Sequence, residues 1–306
     1  MGSVRQPVRF GIVRNQTLPW PVLAEQFRRF EALGFDSAWA CDHFQRPSEP
    51  EAPYLEGWTL LGALATVTER IRLGLLVASN TFRHPALVAK MAVTVDHVSG
   101  GRLELGLGTG WYEDEHRRFG LPFPERPELV GRFEEAVQLL DAMLRQDLTT
   151  YDGRYYRLVA APCRPGPVQR PRPPLTLGAH GPRMLRIAAR YADRWNSYGT
   201  VEQIRERNAR LDEACAEIGR DPSEIIRSFF AMAPRPMPGP PGSRLAVDPW
   251  TSPEAFEEIY AAYQAVGIDE FLVDGPQDHQ WEVVERIAAE VLPRLRARAF
   301  PDQRPS

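Results

Sequence analysis

The sequence predicts an α/β fold, a closed (β/α)8 barrel, and three observations carry the prediction. Apolar runs of strand length alternate with amphipathic stretches of helix length, the alternation repeats eight times, and the runs are apolar throughout. Runs such as LGLLVA suit strands covered on both faces, as in a parallel sheet flanked by helices. Eight near-regular repeats favour closure over an open doubly wound sheet. The 306 residues hold one barrel, which uses roughly 250, with room for insertions.

VRFGIV (Val8 to Val13) reads as the first strand. Leu23 to Leu33 follows as a helix with Leu23, Phe27, Phe30 and Leu33 on its apolar face and Gly34 closing it. Phe35 to Cys41 and Ile71 to Ala78 are the second and third strands, followed by helices Trp58 to Val67 and Pro85 to Val98. Leu103 to Gly108 is the fourth strand, with helix Leu129 to Leu144 behind it. Thr149 to Leu158, with Asp152-Gly153 at its turn, reads as a β-hairpin. Strands Leu175 to Gly178, Arg194 to Ser197, Ile225 to Ala233 and Glu270 to Val273 complete the set. Their helices are Met184 to Tyr191, Val201 to Ile218, Glu254 to Val266 and Trp281 to Leu295. No linker interrupts the repeats, so residues 1–306 read as one domain. The long insertions run from Gly110 to Pro127, Leu148 to Pro174 and Pro234 to Pro253. Two of them follow strands, on the face where barrel chemistry sits.

Composition narrows the function. A net charge of −3, with 37 basic residues scattered among 40 acidic ones, leaves no nucleic-acid footprint. Lys90 is the sole lysine, a bias that reflects a GC-rich genome more than a task. No apolar run reaches the roughly 18 residues of a membrane helix, and the N-terminus lacks a signal-peptide core, so a cytoplasmic protein is expected. Cys41, Cys163 and Cys215 lack metal-ligand spacing and read as reduced thiols.

Four strand ends carry candidate chemistry. Asp42-His43-Phe44 follows the second strand; an imidazole there can move a proton, and the adjacent carboxylate can orient it, or the histidine is merely structural. Ser79-Asn80-Thr81 follows the third strand and can bind a cofactor's heteroatoms or cap the next helix. Gly106-Leu107-Gly108-Thr109-Gly110-Trp111 has the spacing GxGxG and lies outside the first βαβ unit, so it is no nicotinamide fingerprint. Its glycines let a flat ring approach bare backbone, or simply turn the chain. Gly178-Ala179-His180-Gly181-Pro182-Arg183 opens a helix and suits a phosphate, or is an ordinary turn with Pro182 near N1. His43, His84, His180 and Asp274 also raise a metal-dependent hydrolase, although the first strand lacks an HxH pair. A non-catalytic barrel that binds small molecules is a third class.

The stretches GFDSAWACDHF, RIRLGLLVASNTFRHPALVAKMAVTVDHVSGGRLELGLGTGW, EDEHRRFG and PLTLGAHGPRMLRIAARYADRWN resemble the bacterial luciferase-like monooxygenase superfamily. Within it the sequence is most similar to the coenzyme F420-dependent oxidoreductases. The resemblance implies a TIM barrel of the luciferase-like type, with insertions at the C-terminal face and a flavin-type ring held at its mouth. It places the catalytic Asp-His pair on Asp42 and His43, with the histidine near the ring's reactive carbon. A non-proline cis peptide behind the ring falls on Leu76-Val77, a hydroxyl contact on Ser79 and the glycine turn on Gly108, Thr109 and Gly110. The phosphate turn falls on Gly178, Ala179, His180 and Gly181. Trp111 stands where the sugar-phosphate branch has a catalytic glutamate, so neither that substrate nor that proton donor carries over. Ala179 and His180 replace glycines of the phosphate turn, which leaves FMN as the alternative cofactor. With FMN the chain is a monooxygenase fed by a separate reductase. The expected partner is a small-molecule substrate, with a homodimer left open. Trp111, Trp195 and Phe44 are candidates for an apolar wall, and Pro234 to Gly242 for a lid or a plain loop.

Overall fold

The computed structural model describes residues 8–299 apart from 237, 240 and 241. The strands are β1 (Arg9–Val13), β2 (Ser37–Ala40), β3 (Arg72–Leu75), β4 (Ala78–Ser79) and β5 (Leu103–Gly108), then β6 (Leu148–Asp152) and β7 (Arg157–Pro162). β8 (Leu175–Gly178), β9 (Arg194–Ser197), β10 (Ile226–Ala231) and β11 (Glu270–Asp274) follow. The helices are α1 (Trp20–Ala32), α2 (Gly57–Val67), α3 (Pro85–Val98), α4 (Glu113–Arg118) and α5 (Arg126–Arg145), then α6 (Pro182–Tyr191), α7 (Val201–Ala216) and α8 (Pro253–Gln264). The last helical stretch is α9 (Trp281–Arg286), a π-helical turn (Ile287–Val291) and α10 (Leu292–Ala299).

Parallel pairing runs β3-β2-β1-β11-β10-β9-β8-β5-β4, and β3 also pairs with β5, which closes the ring. The result is the expected (β/α)8 TIM barrel, with β6 and β7 as an antiparallel hairpin outside it. Helices pack around the barrel through one continuous core that includes Phe27, Leu64, Phe133, Ile187 and Phe256.

One expected strand is corrected. Ile71 to Ala78 is not continuous: β3 ends at Leu75, β4 starts at Ala78, and the Leu76-Val77 peptide between them is cis. Glycines on β5 make room for this break. A Cβ at Gly106 would lie 2.0 Å from the Leu75 carbonyl oxygen, and one at Gly108 would lie 2.6 Å from Val77 Cγ2.

Alternation along the strands sorts the barrel interior into layers. Glu104, Arg194 and Glu270 meet at the base, each almost fully buried. Val13, Trp39 and Leu272 form an apolar plug above them. Gly74 admits the plug's indole, since a Cβ there would meet Trp39 Cζ3 at 2.5 Å. Polar groups at the strand ends lie beyond this plug, at the C-terminal face.

Candidate active site

His43 leaves β2 with its ring mostly buried, at 18% side-chain exposure, and its Nδ1 lies 2.8 Å from Glu115 Oε2. Glu115, in α4, is fully buried, and its Oε1 also accepts from the backbone N–H groups of Phe44 at 2.5 Å and Gln45 at 3.1 Å. A carboxylate can only accept, so Nδ1 is the donor and Nε2 remains for the mouth. Trp111 and Tyr112 present edges to the imidazole at centroid distances of 5.8 and 6.4 Å. Trp111 itself is half exposed, as a wall facing an open cleft would be.

The expected partnership of Asp42 with His43 is corrected here. Asp42 is buried but turned away, accepting from Ser79 N at 2.8 Å and from Arg83 Nη1 through both oxygens at 3.0 and 2.8 Å. Arg83 Nη2 continues to Glu56 Oε1 at 2.5 Å. Asp42 therefore fixes the backbone of β4, and Glu115 orients His43. Glu115 lies in the quoted EDEHRRFG stretch, whose acidic-basic pattern on its own reads as a solvated helix.

Ser79 begins a buried relay. Its Oγ lies 2.7 Å from Thr81 Oγ1, which lies 2.6 Å from His116 Nε2, while His116 Nδ1 meets the Tyr112 carbonyl at 2.8 Å. A carbonyl only accepts, so Nδ1 carries the proton and, in the neutral ring, Nε2 accepts from Thr81. Thr81 then accepts from Ser79, whose oxygen is left to offer lone pairs to the cleft. Thr81→Val keeps the shape but strips both bonds from buried His116 and Ser79. The expected result is a loss of about 1–3 kcal/mol in urea unfolding. An unchanged midpoint would show that the relay contributes nothing.

The glycine turn suits a flat ring. Gly110 has φ +84°, and a Cβ there would strike Thr81 Oγ1 at 2.6 Å and Ser79 Oγ at 2.8 Å. Gly108 and Gly178 both border Val77, so these glycines and Val77 form one surface of bare backbone and a single branched side chain. At the far end, Gly181 is the N-cap of α6 with no side-chain cap, and nothing lies within 4 Å of where its Cβ would be. The first-turn amides of α6 are thus open to an anion. Burial, and then nearby Arg207, push His180 down to about 4, so its ring is neutral at pH 7. Ser197 Oγ accepts from Arg207 Nη1 at 3.0 Å and sits 3.0 Å from His180 Nδ1. With its O–H donating to Nδ1, the ring proton sits on Nε2 as a further anion donor. Neutral His180 is accordingly a poor base and a good phosphate contact. A phosphate-bearing ring cofactor fits these residues.

Trp195 is not part of an apolar wall: it is fully buried and donates from Nε1 to the Ala179 carbonyl at 2.8 Å, holding the phosphate turn from beneath. Phe44 packs on Phe82 and Phe119 at 4.4 and 5.1 Å. Of the segment from Pro234 to Gly242, residues 237, 240 and 241 lie outside the described residues. The histidines of the metal alternative do not converge. His84 caps α3 by accepting from Ala86 N at 3.1 Å, and among the described residues no group of three His, Cys, Asp or Glu could hold a metal ion.

The luciferase-like monooxygenase family model matches residues 5–236. The chain belongs to the luciferase-like monooxygenase family. Within that family it is 31% identical over 328 residues to an F420-dependent glucose-6-phosphate dehydrogenase of Beutenbergia cavernae, covering 92% of this chain and 93% of that one. A protein of the same description from Microbacterium testaceum is 36% identical over 197 residues, 61% of this chain and 55% of that one. The luciferase-like fold recurs in the coenzyme F420-dependent tetrahydromethanopterin reductase of Methanopyrus kandleri. Its TM-score is 0.79 at 21% identity, with 94% of this chain and 99% of that one covered. No helix among the described residues is long and apolar enough to cross a membrane.

Proposed function

We propose that this chain is an oxidoreductase that transfers a hydride between coenzyme F420 and a small organic substrate. The observation that carries the reading is a His43 backed by buried Glu115, whose ring meets Trp111, the residue directly after the Gly108 to Gly110 turn that borders Val77. The names of the two relatives support F420 over other ring cofactors. When bound, the deazaflavin supplies a two-electron hydride carrier with little tendency to activate oxygen. The chain's residues supply the rest. Val77, the glycine turn and Ser79 would hold the ring, and the open first turn of α6 with His180 would hold a phosphate. His43 Nε2 takes or returns the proton that balances the hydride at the substrate, and Glu115 stabilises the imidazolium while that proton is held. Trp111 and Tyr112 limit water around the imidazole. Free thiols at Cys41, Cys163 and Cys215 suit the reducing cytoplasm.

The competing reading is an FMN-dependent monooxygenase; the family's description names a monooxygenase. Titrating purified protein with oxidised F420 and with FMN, followed by fluorescence, separates the two. F420 is expected to bind more tightly. Equal or tighter binding of FMN overturns the hydride-transfer reading in favour of oxygen chemistry.

A further inference from the structure

Beside β1 and β11 the mouth holds two guanidinium groups next to each other. Arg14, directly after β1, donates from Nη1 to the Pro276 carbonyl at 3.0 Å. Arg235, beyond β10, donates from Nη1 to the Gly275 carbonyl at 3.1 Å. Two successive carbonyls thus draw like charges together. Gly275 is needed for this approach, since a Cβ there would lie 2.7 Å from Arg14 Cδ.

The pair is only partly matched by anions. No carboxylate among the described residues lies within ion-pair distance of Arg14, and Arg235 reaches Asp248 Oδ2 only at 3.5 Å. That oxygen already accepts from Gln280 Nε2 at 3.1 Å. The Nε–H groups of Arg14 and Arg235 are both buried with no hydrogen-bond partner. Burial, and then Arg235, lower Arg14 to about 10, while Asp278 and Asp274 pull the other way. Asp274 is buried at the end of β11. Burial pushes it up to about 6, and its Oδ2 accepts from Ala233 N at 2.9 Å. Guanidinium groups with donors to spare are suited to carboxylate or phosphate. The site lies one strand from the catalytic histidine, because β1 pairs with β2 and His43 follows β2.

We propose that Arg14 and Arg235 form an anion subsite, and that the substrate carries a carboxylate or phosphate group seated on it. The link to substrate rests on the F420 reading above; the anion site does not. The site differs from the α6 turn assigned to the cofactor's phosphate, which lies after β8.

The test is calorimetric titration of the cofactor-free protein with inorganic phosphate and, separately, with acetate. Repeating both with F420 bound tells the two anion sites apart. Saturable binding of either anion is expected, and the tighter one names the class. Arg14→Gln should weaken it about tenfold to hundredfold, as for loss of a charged donor, with Arg14→Lys retaining part of the affinity. Arg235→Gln serves as the second variant if Arg14→Gln melts early. Binding that is absent, or equal in wild type and both glutamine variants, overturns the site. Complete loss of anion binding once F420 is bound overturns the substrate assignment, because the anion then occupies the cofactor's place. Anion binding without any F420 binding upholds the site and sinks the F420 reading instead.

Discussion

His43→Asn is expected to slow single-turnover hydride transfer by about 10²–10⁴-fold, the usual contribution of general acid–base catalysis, while leaving F420 affinity nearly unchanged. The asparagine amide can still donate to Glu115 Oε2, whose other oxygen stays fixed by the Phe44 and Gln45 amides. Side-chain position survives; the titratable Nε2 does not. A purely structural histidine predicts a different pattern, a lower melting temperature with normal turnover in the surviving folded fraction. Melting temperature, F420 affinity and single-turnover rate measured on one preparation therefore separate the two. An unchanged rate would remove His43 as the proton carrier, and His180 would not replace it, because its neutral ring near pH 7 has a pKa of about 4.

What the sequence made legible was whatever is encoded locally. Strands Leu103–Gly108, Leu175–Gly178 and Arg194–Ser197 and helix Pro85–Val98 have the ends expected, because glycine turns or a first-turn proline mark them. Helix α1 starts three residues before Leu23, where Pro19 and Pro21 set its first turn ahead of the apolar periodicity. The break in the third barrel strand was beyond a local pattern, since the room for it comes from Gly106 and Gly108 on another strand. The site divides the same way. Adjacency of Asp42 and His43 suggested a pair, yet neighbours in extended chain point to opposite sides. The true partner of His43 is Glu115, 72 residues on. The Ser79–Thr81–His116 relay was equally hidden, although each residue lay in a stretch already singled out.

Arg194→Met is expected to destabilise the fold by about 3–5 kcal/mol, the range for removing one partner of a buried ion pair. Arg194 is 1% exposed at the barrel base, where Nη1 donates to Glu104 Oε2 at 2.5 Å and Nε lies 2.9 Å from Glu270 Oε2. The two carboxylates respond differently to burial. Burial pushes Glu104 up, but Arg194 and Arg72 together outweigh it and hold it below the usual range. Burial also pushes Glu270 up, and there the pull of Arg194 is too small to reverse it. In the variant, Glu104 keeps Arg72, while Glu270 loses the pull of Arg194 and keeps only the weaker one of Arg9. A carboxyl raised in the folded state contributes stability below its unfolded pKa and loses it as pH rises through the folded value. The damage should therefore grow with pH, and urea unfolding at about pH 5 and about pH 8 should show a smaller loss at the lower pH. Adding Glu270→Gln to Arg194→Met should recover part of the loss at the higher pH, because it removes the stranded charge. A loss that is the same at both pH values and is not rescued would place the cost in packing instead. The guanidinium lies 5.6 Å from the Trp39 ring centroid, and methionine would leave that contact unfilled.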